Sequence, residues 1–220
     1  MKRSKIIIEL IKDEINVVQA MDILYLLLQD MNDNKIKRWL DNEINGYKNE
    51  NDVPDYRILK SNVGGTYKYT NQDIPIKPEF IKEYSKVVIF SPVSEIMKLS
   101  EVEKETKEHC VGIPLHQLLA QNISLVNGEM FCAHRELSIY AHTNLLATLK
   151  SKVLKIFIEL EKKYGNLDDY YINFSNKTAE KEMTKTIINI IYTDNSVHIG
   201  NENNIENWNV GVDNENWNWK

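Results

Sequence analysis

The chain has 220 residues, of which 42% are hydrophobic and 27% are charged, and its formal net charge at pH 7 is −5. A chain of this length can bury roughly 70% of the surface that its unfolded form exposes, so a hydrophobic core can form without disulfide bonds. The net negative charge argues against broad, sequence-independent binding of nucleic acid, which needs many Lys and Arg contacts to phosphate.

The number of cysteines and the length of the apolar runs exclude further classes of protein. Cys110 and Cys132 are too few for a disulfide framework. The longest apolar run that contains an aromatic residue, residues 23–28, is far shorter than the roughly 20 residues of a membrane-spanning helix. The basic start of the chain is followed by an amphipathic, charged stretch that lacks the apolar core of a signal peptide. We therefore expect a cytoplasmic protein with reduced cysteines and no membrane partner.

Three helices are predicted before residue 48. Ser4 is a suitable N-cap for the first helix. Asn16, followed three residues later by Gln19, forms a capping-box pattern at the start of the second. The third helix begins at Asn32 or Asp33 and ends at residue 47. The short connections between these helices favour antiparallel neighbours in a bundle.

Strand patterns follow the third helix. Pro54 favours an extended conformation for the residue before it and begins a strand through Tyr56. Tyr67 and Tyr69 alternate with polar residues, and the glycine pair at residues 64–65 lies between the two patterns. This arrangement predicts a β-hairpin.

The next segment combines a short apolar run with a helix. Residues 87–90 are typical of a strand or of the end of a helix. Ser91 and Pro92 form a strong helix start, with Ser91 as N-cap and Pro92 at the first helical position. We expect this helix to end near Leu99. The charged residues 101–108 are predicted to form a solvated face or loop.

A strand at residues 129–135 and a long helix over residues 143–164 are predicted next. Apolar residues at three- and four-residue steps hold one face of this helix: Leu146, Leu149, Val153, Ile156, Phe157 and Leu160. The polar, mixed-charge residues 166–182 are interpreted as a linker. It would separate a domain of residues 1–165 from a C-terminal segment of residues 183–220.

The C-terminal segment has a composition of its own. Residues 184–193, TKTIINIIYT, are β-branched and apolar, and they predict a strand whose edge is hazardous if unpaired. Glu-Asn-Trp-Asn then occurs at Glu206 and again at Glu215. These features predict a β-rich oligomerisation tail, with a flexible, sticky extension as the alternative. The residues assigned to self-association are Ile187, Ile190, Ile199, Ile205, Trp208, Val210, Trp217 and Trp219.

The most specific pattern of the chain lies where the third helix gives way to strand. It reads Trp39-Leu40-x-x-Glu43-Ile44-Asn45-Gly46-Tyr47 and then Val53-Pro54-Asp55-Tyr56-Arg57. This pattern resembles the AbiTii domain of bacterial abortive-infection proteins, and the helical patterns on either side extend the resemblance over residues 4 to about 165. The resemblance implies a role in defence against phage, and it supplies no catalytic residues. The motif residues are Trp39, Glu43, Gly46, Tyr47, Pro54, Tyr56 and Arg57.

The motif has two interpretations. Glu43 and Arg57 lie on either side of the helix-to-strand junction and can form an ion pair. In the first interpretation they line a ligand pocket together with Trp39, Tyr47 and Tyr56. In the second, the ion pair and the aromatic side chains clamp the strand region onto the third helix. We favour the clamp, because ion pairs at such junctions are common and a pocket needs more convergent polar groups. Trp39 is accordingly predicted to be buried.

Two other groups of residues have side chains of the types found in metal sites or catalytic sites. One contains zinc-ligand types at spacings that fit no compact zinc signature: His109, Cys110, His116, Cys132, His134 and His142. The other is the triplet His134, Arg135 and Glu136, which suits a nuclease but is an isolated pattern. We therefore expect no metal and no cofactor.

The sequence thus predicts an α+β fold with an N-terminal helical bundle, a small central β-sheet, a long packing helix and a β-rich tail. The function is interpreted as a non-enzymatic oligomerising or sensing component of a bacterial abortive-infection system, with a phage or host protein as a further partner. The alternative is a nuclease or other toxic effector enzyme in the same context.

Overall fold

The computed structural model describes residues 3–67, 81–82, 84–106, 110–114, 131–138 and 140–192. Its helices are α1 (Lys5–Ile11), α2 (Val17–Leu28), α3 (Asn34–Asn45), α4 (Val93–Thr106), α5 (Ala141–Tyr164) and α6 (Lys177–Tyr192). Short 3₁₀ turns at Glu50–Asp52 and Asp55–Arg57 follow α3. No helix in these described ranges is both long and apolar enough to cross a membrane.

Two small antiparallel sheets complete the fold. The strands are β1 (Ile58–Lys60), β2 (Asn62–Tyr67), β3 (Lys86–Val88), β4 (Cys110–Pro114) and β5 (Phe131–Ser138). β1 pairs with β3, and β5 lies between β2 and β4. The predicted α+β class is confirmed.

The helix starts follow local capping chemistry. Asn16 and Gln19 form the predicted capping box at the start of α2, each side chain bonding the other residue's backbone N–H. Asp33 caps α3 by accepting hydrogen bonds from the backbone N–H groups of Lys35 and Ile36, both at 2.9 Å. Ser4 occupies the N-cap position of α1, but its side chain makes no cap hydrogen bond. Of the three caps predicted for α1, α2 and α3, those of α2 and α3 are therefore formed by side chains.

The predicted hairpin at residues 64–65 is wrong. β1 and β2 are adjacent in sequence but pair with different strands, so they separate at Ser61, whose N–H donates to the Ser85 carbonyl at 2.7 Å. Gly64 lies inside β2 opposite His134 of β5. A Cβ atom at Gly64 would lie 2.7 Å from His134 Nε2, so the glycine allows a close approach between strands and makes no turn.

Helix α4 continues beyond its predicted end at Leu99. Its last turns include Glu101, Lys104 and Glu105, which are exposed. Glu101, Lys104 and Glu105 therefore form a solvated helix face, and residues 107–108 lie outside the described residues. Charged residues with high helix propensity continue a helix as readily as they form a loop, which is why the charge pattern alone misplaced the boundary.

The long helix α5 is the centre of the molecule. It packs against α1, α2, α4 and α6. Five of the six residues of the predicted apolar face, Leu149, Val153, Ile156, Phe157 and Leu160, are buried in the main hydrophobic core, and Leu146 is partly buried against it. A smaller core joins α4, α5 and the strand region, and it contains Val87, Ile89, Ile96, Leu137, Ala141 and Leu145.

Residues 166–182, predicted to be a linker, contribute to the same core. Leu167, Ile172 and Phe174 are buried in it, and the Phe174 ring packs edge-on against Tyr164 at a centroid distance of 5.3 Å. Most polar residues of the segment are exposed, but Glu180 is buried, and the side chains of Tyr170 and Tyr171 face solvent. The chain is therefore packed around one core on both sides of the predicted boundary.

The predicted strand at residues 184–193 is wrong for residues 184–192, which belong to helix α6. Met183, Ile187 and Ile191 recur at four-residue steps and are buried against the main core. Ile190 is partly buried and packs on the same core. The doublets Ile187-Ile188 and Ile190-Ile191 break the alternation expected of a strand. They fit a helix, because adjacent residues lie about 100° apart around the helix axis and both can contact the core. Residues 193–220, including Ile199, Ile205, Trp208, Val210, Trp217 and Trp219, lie outside the described residues.

The N-terminus is fixed to the end of α5 by a buried carboxylate. Glu161 accepts hydrogen bonds from the Ser4 backbone N–H at 2.6 Å, from the Ser4 hydroxyl at 2.7 Å and from Arg3. The Ser4 oxygen in turn accepts from the Leu167 N–H at 2.9 Å. One carboxylate thus joins α1, α5 and the segment that follows α5.

This contact predicts a pH dependence of stability. Burial raises the pKa of Glu161, but the hydrogen bonds from Ser4 and Arg3 outweigh it and hold the pKa below its ordinary value of 4.5. The folded-state pKa is thus lower than the unfolded one, so the contribution to stability is present above the ordinary pKa and is lost as pH falls through the folded pKa. In urea unfolding at a series of acidic pH values, the free energy of unfolding should fall less steeply with decreasing pH for Glu161→Gln than for the unchanged protein. Glu101→Gln, at an exposed position, is the control, and equal slopes for all three proteins would contradict the assignment.

A second prediction separates helix from strand at residues 184–192. Ile187→Ala should lower the free energy of unfolding by about 2–5 kcal/mol, because it leaves a cavity in the main core. Lys185→Ala, at an exposed position of the same helix, should change it by less than about 0.5 kcal/mol. Denaturant unfolding measures both. A small effect of Ile187→Ala would mean that this segment does not pack on the core.

Candidate functional site

The motif residues meet where α3 ends. Gly46 terminates α3 with φ of +88°, a left-handed conformation that favours glycine. A Cβ atom here would also lie 3.0 Å from the Phe90 carbonyl oxygen. The next N–H, that of Tyr47, donates to the same carbonyl at 2.8 Å. Gly46 therefore lets the chain turn tightly against the connection between β3 and α4.

Glu43 is the acceptor at the centre of the motif. Its Oε1 atom accepts from the hydroxyl groups of Tyr47 at 2.6 Å and Tyr56 at 2.7 Å, and from Arg57 Nε at 2.9 Å. Its Oε2 atom accepts from Arg57 Nη2 at 2.6 Å. The Glu43 and Arg57 side chains are both 0% exposed. This is a two-pronged ion pair in the interior, the strongest geometry for an arginine and a carboxylate.

Arg57 extends the network to the β3–α4 connection. Its Nη1 atom donates to the carbonyl oxygens of Ile89 at 3.1 Å and Ser91 at 2.7 Å. The guanidinium also lies over the Tyr47 ring, 4.8 Å from its centroid. The Arg57 backbone adds a bond from its N–H to the Pro54 carbonyl, which closes the 3₁₀ turn. One side chain thus ties together α3, this turn and the approach to α4.

Trp39 and Tyr56 connect the ion pair to the other helices. Trp39 is 1% exposed, which confirms its predicted burial, and its Nε1 atom donates to the Tyr56 hydroxyl oxygen at 2.8 Å. Lys152 of α5 lies over the Tyr56 ring at 5.2 Å and donates to the Ile190 carbonyl of α6 at 2.7 Å. The motif is therefore in contact with α5 and, through Lys152, with the last turn of α6.

The protonation states follow from burial and from this one carboxylate. Burial and the nearby Glu43 charge raise the pKa of both Tyr47 and Tyr56, so both hydroxyls remain protonated donors. Burial acts to lower the pKa of Arg57, but Glu43 outweighs it and the pKa is raised. Each group thus keeps the ionisation state that its hydrogen bonds require.

We name this set of side chains the clamp: Trp39, Glu43, Tyr47, Tyr56 and Arg57. Gly46 and Pro54 make no side-chain hydrogen bond within it and shape the backbone on either side. The structure thus brings all seven motif residues to one junction, in the arrangement that the clamp interpretation describes.

A cleft lies beside the clamp, between α3, the Glu50–Asp52 turn and the end of α6. Its volume is about 420 Å³, and Trp39 forms part of its inner wall. The complete lining is Lys35, Arg38, Trp39, Asn42, Asn51, Asp52, Ile188 and Tyr192. Arg38 Nη1 lies 3.3 Å from Asp52 Oδ1. Burial, followed by the Asp52 charge, raises the pKa of Tyr192, so its hydroxyl is neutral and can donate.

Comparison with known protein families shows the family to which the chain belongs. The AbiTii family model matches residues 4–187. The chain belongs to the AbiTii family. The match includes the clamp and most of α6, and it places the protein in the context of bacterial abortive infection. No curated protein and no solved structure matches the sequence.

The second predicted group of this AbiTii protein, the triplet on β5, does not converge. His134 Nε2 lies 2.9 Å from Glu136 Oε1, since residues two apart share a face of a strand. Arg135 lies on the opposite face and donates to the Lys86 carbonyl at 3.1 Å. Of the zinc-ligand types, His142 is buried in α5, and His109 and His116 lie outside the described residues. Among the side chains that the structure describes, no three of His, Cys, Asp or Glu lie together as a metal site.

Sequence reasoning missed Lys152 and the cleft of this AbiTii chain. One signal was available: Lys35, Arg38 and Asn42 recur at three- and four-residue steps, so they form a polar stripe next to Trp39 on α3. The other walls come from a turn and from a helix 140 residues or more further along the chain, which no local pattern connects to α3.

The buried ion pair of the AbiTii motif predicts strong energetic coupling. Glu43→Leu or Arg57→Met alone should cost about 3–5 kcal/mol, because each leaves an uncompensated charge in the interior. The double variant should be destabilised by less than the sum of the two, with a coupling of about 1–3 kcal/mol. Denaturant unfolding of the four proteins gives this cycle.

The exposed ion pair between Lys163 and Glu182, at 2.6 Å, is the matched control. Its coupling should be below about 1 kcal/mol, because solvent screens the charges. Additive effects of Glu43→Leu and Arg57→Met would show that the clamp does not hold the junction.

Proposed function

We propose that this AbiTii chain is a non-enzymatic, cytoplasmic component of a bacterial abortive-infection system that recognises a protein partner at the cleft and self-associates through residues 193–220. One observation carries the proposal. The charged and aromatic groups of the family motif bond to one another in the interior, whereas the side chains of Lys35, Asn42 and Asn51 in the adjacent cleft make no hydrogen bond within the described part of the chain.

The clamp supports a structural role for the motif. Glu43 accepts four hydrogen bonds, and Arg57 donates four from its side chain. An arginine has five N–H donors, so almost its whole capacity is used inside the protein. A group that is fully bonded and buried has nothing to offer a substrate without breaking the fold. The motif therefore supports the geometry of the surface beside it.

The cleft supports a role in recognition. The side chains of Lys35, Asn42 and Asn51 make no hydrogen bond to any residue that the structure describes. The volume of about 420 Å³ lies within the usual range of ligand sites, roughly 300–1,000 Å³. Apolar surface from Ile188 and Tyr192 lines the same space. A mixture of a few polar groups and apolar walls is typical of a recognition site.

Composition supports self-association by residues 193–220. Three of the four Trp residues lie there, at Trp208, Trp217 and Trp219. Large aromatic residues are unusual in segments that remain disordered, and Trp is the residue type most enriched at interface hot spots. Two copies of Glu-Asn-Trp-Asn add a repeated element.

The toxic-enzyme alternative gains no support from the triplet on β5. Arg135 lies on the face of the sheet opposite to His134 and Glu136, so the three side chains cannot act on one substrate atom.

The test compares assembly with protection against phage. The intact chain should sediment as an oligomer, and a variant with Trp208→Ala, Trp217→Ala and Trp219→Ala should sediment as a monomer. Removing one hot-spot Trp costs about 2 kcal/mol or more, roughly a thirtyfold loss of affinity. In phage plating on bacteria that express each protein, the triple variant should lose protection.

The control is the pair Tyr140→Ala and Tyr171→Ala, since both tyrosines are 61% exposed and lie outside the segment. This variant should assemble and protect like the intact chain. Identical sedimentation of all three proteins, or full protection by the tryptophan variant, would contradict the proposed function.

A further inference from the structure

The net charge of the side chains that line the cleft suits the binding of one carboxylate. Its lining contains two cations, Lys35 and Arg38, and one carboxylate, Asp52, which lies 3.3 Å from Arg38. Subtracting one from two leaves a single excess positive charge. Phosphate esters and nucleic-acid backbones carry more negative charge and are held by several cations. The balance here suits one aspartate or glutamate side chain.

The other lining groups suit a peptide. Asn42 and Asn51 each carry an amide that can both donate and accept, which matches the N–H and C=O groups of a peptide backbone. Ile188 and Tyr192 offer apolar surface on the α6 side of the same cleft. A side chain with a large apolar body next to an acidic residue would use both halves of the site. The ligand class is therefore an acidic peptide with a nearby aromatic residue.

The chain itself contains such a peptide. Residues 193–220 include five acidic residues and one lysine, and each Glu-Asn-Trp-Asn repeat places a carboxylate two residues before an indole. The segment begins next to Tyr192, which lines the cleft. Every copy of the protein therefore has a cleft and, directly after Tyr192 in sequence, a segment of opposite charge that contains the matching motif.

We propose that the cleft of one chain binds a Glu-Asn-Trp-Asn repeat of a second copy. The glutamate carboxylate pairs with Lys35 and Arg38, and the indole packs against Ile188 and Tyr192. The inference rests on the proposed function, because it names the surface that receives the associating segment. When each of two chains donates a segment to the other, the contact closes as a symmetric pair.

The experiment uses charge reversal in the full chain. A cleft variant carries Lys35→Glu and Arg38→Glu, and a segment variant carries Glu206→Lys and Glu215→Lys. Each variant alone should self-associate at least about tenfold more weakly in sedimentation equilibrium, since opposite charges become like charges. An equimolar mixture should form a one-to-one complex, because it contains an unmodified cleft and an unmodified segment on different chains.

Two further proteins make the result specific. Lys155→Glu with Lys181→Glu makes the same change in net charge at exposed positions of α5 and α6 and should associate like the intact chain. Lys35→Gln with Arg38→Gln removes the cleft charges without placing a like charge beside Asp52, and it should also weaken association.

The outcomes separate this inference from the proposed function. Undiminished association of both cleft variants, with loss in the tryptophan variant, would overturn the cleft as receiving site and leave self-association standing. A mixture of the cleft and segment variants that remains monomeric would overturn a second copy as the source of the segment. An intact chain that is monomeric at all concentrations would overturn both proposals.

Discussion

The ion pair between Glu43 and Arg57 is the constraint on which this structure depends. Moving two charges out of water costs several kcal/mol for each ion, and the cost is offset only if geometry and further hydrogen bonds are nearly complete. Here two tyrosine hydroxyls and two backbone carbonyls complete them. Because the bonded groups belong to separate parts of the chain, α3, the Asp55–Arg57 turn and the Ile89–Ser91 connection must reach their positions together.

The clamp also determines what surrounds it. Tyr56 receives a hydrogen bond from Trp39, and its ring lies under the ammonium group of Lys152, which in turn bonds the Ile190 carbonyl near the end of α6. A cation at the C-terminal end of a helix is favoured by the helix dipole. The path from Glu43 to α6 therefore fixes two walls of the cleft relative to each other. A rigid floor under a polar cleft is what a recognition surface needs, since pre-organisation lowers the entropy lost on binding.

The polar stripe of α3 makes no contribution to the core, and the proposed receiving site assigns it a role in recognition. Lys35, Arg38 and Asn42 lie beside Trp39, one side of the helix holding the core and the other facing the cleft. The same helix thus supplies Glu43 to the interior and cations to the surface. Tyr192, which directly precedes the segment proposed to self-associate, lines this surface, so α6 connects that proposed contact to the clamp.

The seven motif residues were found by their resemblance to the AbiTii family. Beyond them, the sequence by itself determined the elements whose signals are local: the capping box at Asn16, a cap at Asn32 or Asp33 and the amphipathic face of α5. Periodicity and hydrogen bonding between neighbours encode these, so a single sequence suffices. Only the tertiary structure decided that residues 184–192 are helical, that Leu167, Ile172 and Phe174 of the predicted linker enter the core and that β1 and β2 enter different sheets. In each case the deciding energy comes from burial against distant residues: Ile187 against the main core, Leu167 beside Ser4, and β2 against β5. The cleft too was decided only by the tertiary structure. Its walls come from residues 35–52 and 188–192, and only the fold brings these two segments together.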